Sequence, residues 1–543
     1  MKRFSPHVIV LAAALAATLL GVVPTATARS QGGSAPHPTG AGEAVALSAW
    51  QECSDPFLDS YGLECARLRV PLDYAHPDRG TISLAVTRRL HDPDAGDYQG
   101  VLVTSPGGPG GSGTWMPALA DYVPQGAGDT YDWIGLDPRG VGASQPALHC
   151  EPRRLRRDRP GYVPADRAQE RAWLHATGRY GRSCADGAGA RLLPFMTTLD
   201  NVRDLESLRA ALAEQQPGAG SRLNFYGYDY GSYLGEVYAT RYPQRVGRFV
   251  LDGVVDPGRV WYRAHRDRAR GLQRNLGLWF RYLADHSDAF GLGGDWRELR
   301  ARHHALLHRL AEHPVAGGRL GVDELTDVLL RVGGSATEWL SVGRAYADLV
   351  LHDDARALLR EYRSSRGGDN GYAVHSAVEC TDASWPSWAH QRRVARAGDQ
   401  QAPYLLWAGT WYDAPCRAWP TRSHVPVSVR DEGIGNSILL VNETRDAVTP
   451  FSGAVRVREL FPTARLIAGT GTTHGSSLSG VACVDDAIAA YLRDGTAPPR
   501  RPVRGADLTC PGLAPEEPFA ESPPRGLPDS LRARLIQAQH PMP

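Results

Sequence analysis

Residues 224–231, which read Asn-Phe-Tyr-Gly-Tyr-Asp-Tyr-Gly, constrain the fold more than any other part of the chain. Residues 223–226 predict a strand, and residues 232–239 are compatible with a helix. Glycines on both sides of Asp229 allow the backbone to make a tight turn around a strained central residue. The pattern therefore predicts that Asp229 lies between a strand and a helix, with its side chain raised above the edge of a sheet.

Strands and helices are predicted to alternate around this turn. Short apolar runs at 100–104, 131–136 and 249–251 are typical of buried strands, and 198–212 has helical periodicity. Alternation of this kind predicts an α/β fold with a mostly parallel central sheet and helices on both of its faces.

The pattern changes between residues 258 and 433, where long helical segments rich in Arg, Leu and Ala dominate, such as 296–311 and 341–362. Strand patterns return at 437–441 and 464–468. We therefore predict a core that is interrupted by a helical cap. The predicted parts are the first core segment at 44–257, the cap at 258–433, the second core segment at 434–496, and a proline-rich C-terminal extension at 497–543, loose at its end.

Two more residues complete a reactive set. Asp446 follows the predicted strand 437–441, and His474 lies on a glycine-flanked loop after the predicted strand 464–468. A histidine so placed can reach Asp229 while Asp446 fixes its tautomer. We therefore predict that Asp229, Asp446 and His474 form a catalytic triad; taken separately, Asp446 could be a loop cap and His474 a surface residue.

The N-terminus predicts export. Lys2 and Arg3 precede an apolar run at 8–23, and the Ala-Thr-Ala sequence ending at Ala28 is a small-x-small cleavage pattern. We predict a signal peptide at 1–28, a flexible leader at 29–43 and a secreted protein; an uncleaved anchor facing the outside is the alternative.

Eight cysteines fit an exported chain, and no CxxC spacing occurs, so we expect disulfides and neither a metal nor a cofactor. The net charge of +1 gives no reason to expect nucleic acid or an anionic membrane as a partner. A small-molecule substrate is expected, without stable membrane insertion. Short loops favour four neighbouring pairs: Cys53/Cys65, Cys150/Cys184, Cys380/Cys416 and Cys483/Cys510.

A family resemblance rests on several of these segments. The glycine-rich run at 106–113, Asp-Pro-Arg-Gly-Val-Gly-Ala-Ser at 137–144, the turn at 224–231, Thr-Arg-Asp at 444–446 and the loop of His474 resemble the exported tripeptidyl and prolyl aminopeptidase branch of the α/β-hydrolases. The resemblance implies the α/β-hydrolase fold. It also implies a serine at the position of Asp229.

An aspartate at this position resembles instead the epoxide hydrolases and haloalkane dehalogenases of the same fold. Attack by a carboxylate on a peptide carbonyl would have to form a high-energy anhydride, whereas attack on a strained or activated sp³ carbon forms a stable alkyl ester. His474 would then activate water to hydrolyse that ester. The backbone N–H groups of Tyr230 and Gly108 are the expected oxyanion hole.

We therefore predict a secreted hydrolase that opens an epoxide, of a bulky natural product, to a diol. Epoxide hydrolases that resemble this pattern protonate the departing oxygen with tyrosines of the cap. The alternatives are an inactive peptidase homologue that acts as a binding protein, a dehalogenase, which the tyrosine after Asp229 disfavours, or a residual aminopeptidase. The predicted cap region supplies Tyr262, Tyr282, Tyr346, Tyr362, Tyr372, Tyr404 and Tyr412.

Overall fold

The computed structural model describes residues 45–150, 159–216, 221–364, 366–519 and 526–539. The predicted signal peptide and its cleavage site lie outside these residues, as does the predicted leader. The strands, in chain order, are β1 (Ala46–Leu47), β2 (Gln51–Glu52), β3 (Glu64–Pro71), β4 (Thr81–Arg89), β5 (Val101–Ser105), β6 (Asp132–Leu136), β7 (Leu223–Tyr228), β8 (Val246–Asp252), β9 (Ile438–Glu443), β10 (Arg465–Gly469) and β11 (Leu508–Cys510).

These strands form one sheet in the order β1-β3-β4-β6-β5-β7-β8-β9-β10-β11, with β2 beside β3. From β6 to β11 every neighbouring pair is parallel. All residues of β5, β6 and β9 are buried, as expected for parallel strands that are covered on both faces. This mostly parallel sheet, interrupted by a helical insertion, is the α/β-hydrolase fold, and the predicted fold class is confirmed.

The helices fall into three groups along the chain. Among the described residues, ten helices lie between β8 and β9, within the segment predicted as the cap. Before β8 come α1 (Pro56–Ser60), α2 (Arg167–Ser183), α3 (Thr198–Gln215) and α4 (Tyr230–Arg241); the insertion holds α5 (Tyr262–Asp285), α6 (Ser287–Phe290), α7 (Trp296–Glu312), α8 (Val315–Gly318), α9 (Val322–Gly334), α10 (Trp339–His352), α11 (Arg356–Ser364), α12 (Asp369–Asp382), α13 (Trp388–Gly398) and α14 (Leu405–Asp413); after β9 come α15 (Phe451–Leu460), α16 (Ala482–Asp494) and α17 (Asp529–Gln539).

The insertion has a hydrophobic core of its own. Trp279 and Phe280 on α5 pack there with the apolar faces of α9 and α10. The amphipathic pattern of α9, with Leu325, Val328, Leu329 and Val332 buried, explains why this segment folds as a helix against α5. In the described part of the chain, no helix is both long and apolar enough to cross a membrane.

Three details of the sequence prediction are wrong. The first core segment does not alternate strands and helices throughout, because β1, β3, β4 and β6 pair antiparallel. The predicted helix 341–362 is two helices, since Asp353 adopts a left-handed conformation with φ 53° and ends α10. The C-terminal extension is not loose over its last described residues, because α17 buries Leu531 and Leu535 in the core.

Candidate active site

Asp229 lies at the sharp turn between β7 and α4. Its φ of 52° and ψ of −119° are strained for a residue with a side chain, and only 6% of its surface is exposed. The backbone N–H of Asp229 donates to the carbonyl of Asp252 over 2.9 Å, which ties the turn to β8. A Cβ at Gly227 would lie 2.5 Å from the carbonyl oxygen of Gly231. The first glycine of the motif is therefore required, because the backbone after the turn lies too close to residue 227 to leave room for a side chain.

The glycine-rich loop after β5 packs directly against this turn. The backbone N–H of Gly108 donates to Asp229 Oδ2 over 2.9 Å, so this predicted oxyanion donor contacts the carboxylate. Gly107 has φ of +98°, and a Cβ there would lie 2.7 Å from Asp229 Cβ. Tyr230, the other predicted donor, is the first residue of α4, where a backbone N–H has no acceptor within its own helix.

The structure brings His474 and Asp446 to the same place. His474 Nε2 lies 3.4 Å from Asp229 Oδ1, and His474 Nδ1 lies 2.8 Å from Asp446 Oδ2. Asp446 is held in turn by the backbone N–H groups of Val448 and Thr449, over 2.7 and 3.0 Å. Asp229, His474 and Asp446 therefore form a continuous chain of contacts, in the arrangement of a nucleophile, a base and the acid that orients the base.

The charge state of His474 follows from its neighbours. Burial lowers its pKa, but the charges of Asp446 and Asp229 outweigh burial and raise the pKa to about 10. The imidazole is therefore protonated at neutral pH. It can accept a proton only after one of these negative charges is lost.

A cavity of about 60 Å³ lies between Asp229 and the helical insertion. Gly108, Asp229 and Thr449 line it from the core, and the end of the C-terminal helix contributes Gln539. All seven cap tyrosines that the sequence suggested as acids lie in the described part of the chain, and none lines this cavity. That expectation is therefore corrected.

Two of these phenols donate hydrogen bonds to backbone carbonyls. Tyr282 donates to the carbonyl of Glu516 over 2.6 Å, and Tyr372 donates to the carbonyl of Tyr412 over 2.5 Å. Tyr372 thus joins α12 to α14, and Tyr282 joins α5 to the C-terminal extension; such structural contacts are the more common role of a buried tyrosine.

The insertion lines the cavity with two histidines and a glutamate instead. His265 on α5 and His375 and Glu379 on α12 all line it. His265 Nε2 lies 3.1 Å from Glu379 Oε1, and His265 Nδ1 lies 2.7 Å from Asp413 Oδ1. Burial lowers the pKa of His265, but the charges of Asp413 and Glu379 raise it well above its ordinary value. Burial lowers the pKa of His375 to about 4.

Sequence reasoning missed this cluster. His265 is remote in the chain from the other two, and the three residues have neither a CxxC nor an HxxxH spacing. The available signal was His375-x-x-x-Glu379, which places both side chains on one face of a helix.

Four disulfides are present, and they join the four predicted pairs: Cys53–Cys65, Cys150–Cys184, Cys380–Cys416 and Cys483–Cys510. The third follows Glu379 directly and joins α12 to the segment after α14, which carries Asp413 at its end. It therefore fixes both carboxylates relative to each other.

Comparison with known proteins agrees with this architecture. A family model described as TAP-like protein matches residues 402–510. The tripeptidyl aminopeptidase of Streptomyces lividans is 33% identical over 475 residues, which cover 85% of this chain and 86% of that protein. Serine protease Hip1 of Mycobacterium tuberculosis is 30% identical, covering 81% of this chain and 86% of Hip1. Carboxylesterase B of the same organism is 31% identical, covering 88% and 94%. The chain belongs to the tripeptidyl aminopeptidase family of α/β-hydrolases.

Proposed function

We propose that this hydrolase opens an epoxide to a diol through an ester between Asp229 and the substrate. The observation that carries the proposal is the position of the Asp229 carboxylate. One oxygen accepts a hydrogen bond from Gly108, and the other faces His474. This chain thus has the turn and the histidine of an acyl hydrolase but presents a carboxylate where acyl transfer needs a hydroxyl or thiol.

The first step follows from the chemistry of a carboxylate. An oxygen of Asp229 attacks a ring carbon, the carbon–oxygen bond of the epoxide breaks, and the ring oxygen leaves as an alkoxide that takes up a proton. The product is an alkyl ester, and no leaving group departs from the enzyme. Peptide cleavage by the same carboxylate would require an anhydride, so the activity in the names of the peptidase relatives does not extend to this chain.

Formation of the ester prepares the second step. The negative charge of Asp229 helps to raise the pKa of His474, and esterification removes that charge. The pKa then falls, the imidazole loses its proton, and it can activate a water molecule. That water attacks the carbonyl carbon of Asp229, whose developing oxyanion is stabilised by the N–H of Gly108 and that of Tyr230. The diol leaves, and the carboxylate is restored.

Histidines of the insertion, not its tyrosines, line the cavity in which the departing oxygen takes up its proton. Burial lowers the pKa of His265, but the charges of Asp413 and Glu379 hold it well above its ordinary value, and His375 has two buried ring nitrogens without hydrogen-bond partners. The cavity of about 60 Å³ suits the reacting ring. The rest of a bulky natural product would extend past Asp256, Arg259 and Asp267, which line the cavity and are partly exposed.

We also propose that the protein acts outside the cytoplasm. Four disulfides support this location, since such bonds form and persist in oxidising compartments. A hydrolase placed there would act on an epoxide that has left the cell or arrives from outside.

Trapping the ester tests the proposed reaction. A His474→Gln variant lacks the base for the second step, so incubation with a series of aryl and alkyl epoxides should add the mass of one epoxide to the chain, at Asp229. The matched control is the same variant that also carries Asp229→Asn, which should stay unmodified. Diol formation by the unaltered protein with no adduct on the variant would exclude Asp229 as nucleophile. If no epoxide gave either a diol or an adduct, the result would favour a binding protein.

A further inference from the structure

The group formed by His265, His375 and Glu379 has the composition and spacing of a metal site. One ligand atom from each side chain can be chosen so that all three lie within 4.8 Å of one another. His375 and Glu379 are one helical turn apart on α12, with His375 Nε2 3.4 Å from Glu379 Oε2. Three ligand atoms around a tetrahedral zinc ion are about 3.4 Å apart, so small side-chain shifts would bring them into coordination distance.

Asp413 orients one of these ligands. It accepts a hydrogen bond from His265 Nδ1 over 2.7 Å, which leaves Nε2 directed towards Glu379. Nε2 and a carboxylate oxygen 3.1 Å apart need either a proton or a cation between them. Histidines that bind metal ions commonly donate their other ring N–H to a carboxylate in this way.

His375 provides an independent indication of a ligand. Its side chain is 94% buried, and neither of its ring nitrogens has a hydrogen-bond partner among the described residues. Buried polar atoms without partners are rare in folded proteins and need an explanation. A bound cation would supply the missing partner.

We propose that His265, His375 and Glu379 bind one divalent transition-metal ion, for which Zn²⁺ is the best match. Two imidazoles and one carboxylate are the protein ligands of a common class of catalytic zinc site, in which the fourth position stays open. All three side chains line the cavity beside Asp229, so an open position would be reachable by substrate. The Cys380–Cys416 bridge holds α12 and the end of α14 together around the ligands.

Whether the site binds a metal ion does not depend on the proposed function, but the role of that ion rests on it. If Asp229 attacks a ring carbon, a cation on the opposite wall of the cavity would stabilise the negative charge that develops on the departing oxygen. The ion would then replace the phenols that the cavity lacks. A metal could also be bound in a protein that opens no epoxide, so the two proposals fail separately.

Direct titration tests the site. The chain, prepared without a histidine tag and stripped with a chelator, should bind one Zn²⁺ that is retained through gel filtration, and Co²⁺ should give the visible absorption of a four- or five-coordinate ion. His375→Asn and Glu379→Gln should lose this ion, and Asp413→Asn should bind it about 10–100-fold more weakly.

The matched control is the double variant His304→Gln/His308→Gln. It removes a pair one turn apart on α7, of which His308 is exposed, and should bind zinc as the unaltered chain does. Circular dichroism establishes that each variant is folded. Absence of a retained ion in the unaltered protein, or equal binding by the His375 and Glu379 variants, would overturn the proposal. Loss of the ion with an unchanged yield of Asp229 adduct would overturn only its role in ring opening.

Discussion

Replacement of Asp229 by asparagine should lower the pKa of His474. The substitution keeps the shape of the side chain and its oxygen for Gly108, but it removes the negative charge that lies 3.4 Å from His474 Nε2. Esterification of Asp229 removes the same charge. The variant therefore reproduces, in a stable form, the electrostatic change that should turn His474 into a base.

The magnitude follows from the pKa of His474, which rises from 6.5 to about 10. A rise of that size corresponds to about 5 kcal/mol of preference for the protonated ring. Asp446 is closer to the ring than Asp229, at 2.8 Å against 3.4 Å, and accounts for the larger part. Because burial opposes the rise, the two carboxylates together contribute more than this net value, so we assign at least about 2 kcal/mol to Asp229 and expect the pKa to fall by at least one unit.

The contribution of His474 to the stability of the fold depends on pH. A histidine whose pKa is higher in the folded than in the unfolded protein stabilises the fold fully below about pH 6.5, and this contribution disappears as the pH rises through about 10. Asp229→Asn should therefore reduce stability near pH 7 more than near pH 10.

Titration by NMR of the chain labelled with ¹⁵N-histidine measures the pKa, with the His474 signal identified from its absence in His474→Gln. His286, whose ring lies beside Glu517, serves as an internal control that should titrate identically in both proteins. A His474 pKa that is unchanged or higher in Asp229→Asn would refute the proposed coupling between ester formation and the base.

Three further predictions concern the surroundings of the site. Glu236 is fully buried, and neither of its carboxylate oxygens has a hydrogen-bond partner among the described residues. Burial raises its pKa well above 4.5, so the folded protein loses stability as the pH rises above about 4.5. In urea unfolding, Glu236→Gln should be more stable than the unaltered chain at pH 8 and equal to it near pH 4. Gly107→Ala would place a methyl group 2.6 Å from the last carbonyl of β7, so it should lower the rate of adduct formation about 100-fold, while Gly277→Ala, with no atom within 4 Å, should not change it. Removal of the Cys483–Cys510 bridge by two alanines should cost about 2–5 kcal/mol, measured as a lower Tm, because that bridge ties β11 to α16.

The local order of residues was enough to predict the core of the site. Glycines around Asp229 report a tight turn, and Asp446 and His474 each follow an apolar strand. Parallel strands end at one edge of a sheet, so residues that follow them lie close together even when they are remote in sequence. The fold class followed from the same alternation.

The walls of the cavity could not be predicted in this way. They come from helices of the insertion, and which side chain of a helix faces the cavity depends on how the helices pack, not on spacing along the chain. The resemblance to epoxide hydrolases implies tyrosines of the cap as the acids, whereas packing turns Tyr282 and Tyr372 towards backbone carbonyls and directs His265 and His375 into the cavity. The position of Gln539 at the cavity likewise depends on how α17 packs against the core.

A single turnover in ¹⁸O-labelled water measures the central event most directly. With protein in excess over an epoxide that it opens, water that attacks the carbonyl carbon of Asp229 should leave one labelled oxygen in that carboxylate and none in the diol, read by mass analysis of the peptide containing Asp229. Label found in the diol after the first turnover, with an unlabelled Asp229, would mean that water attacks the substrate directly and would contradict the covalent mechanism.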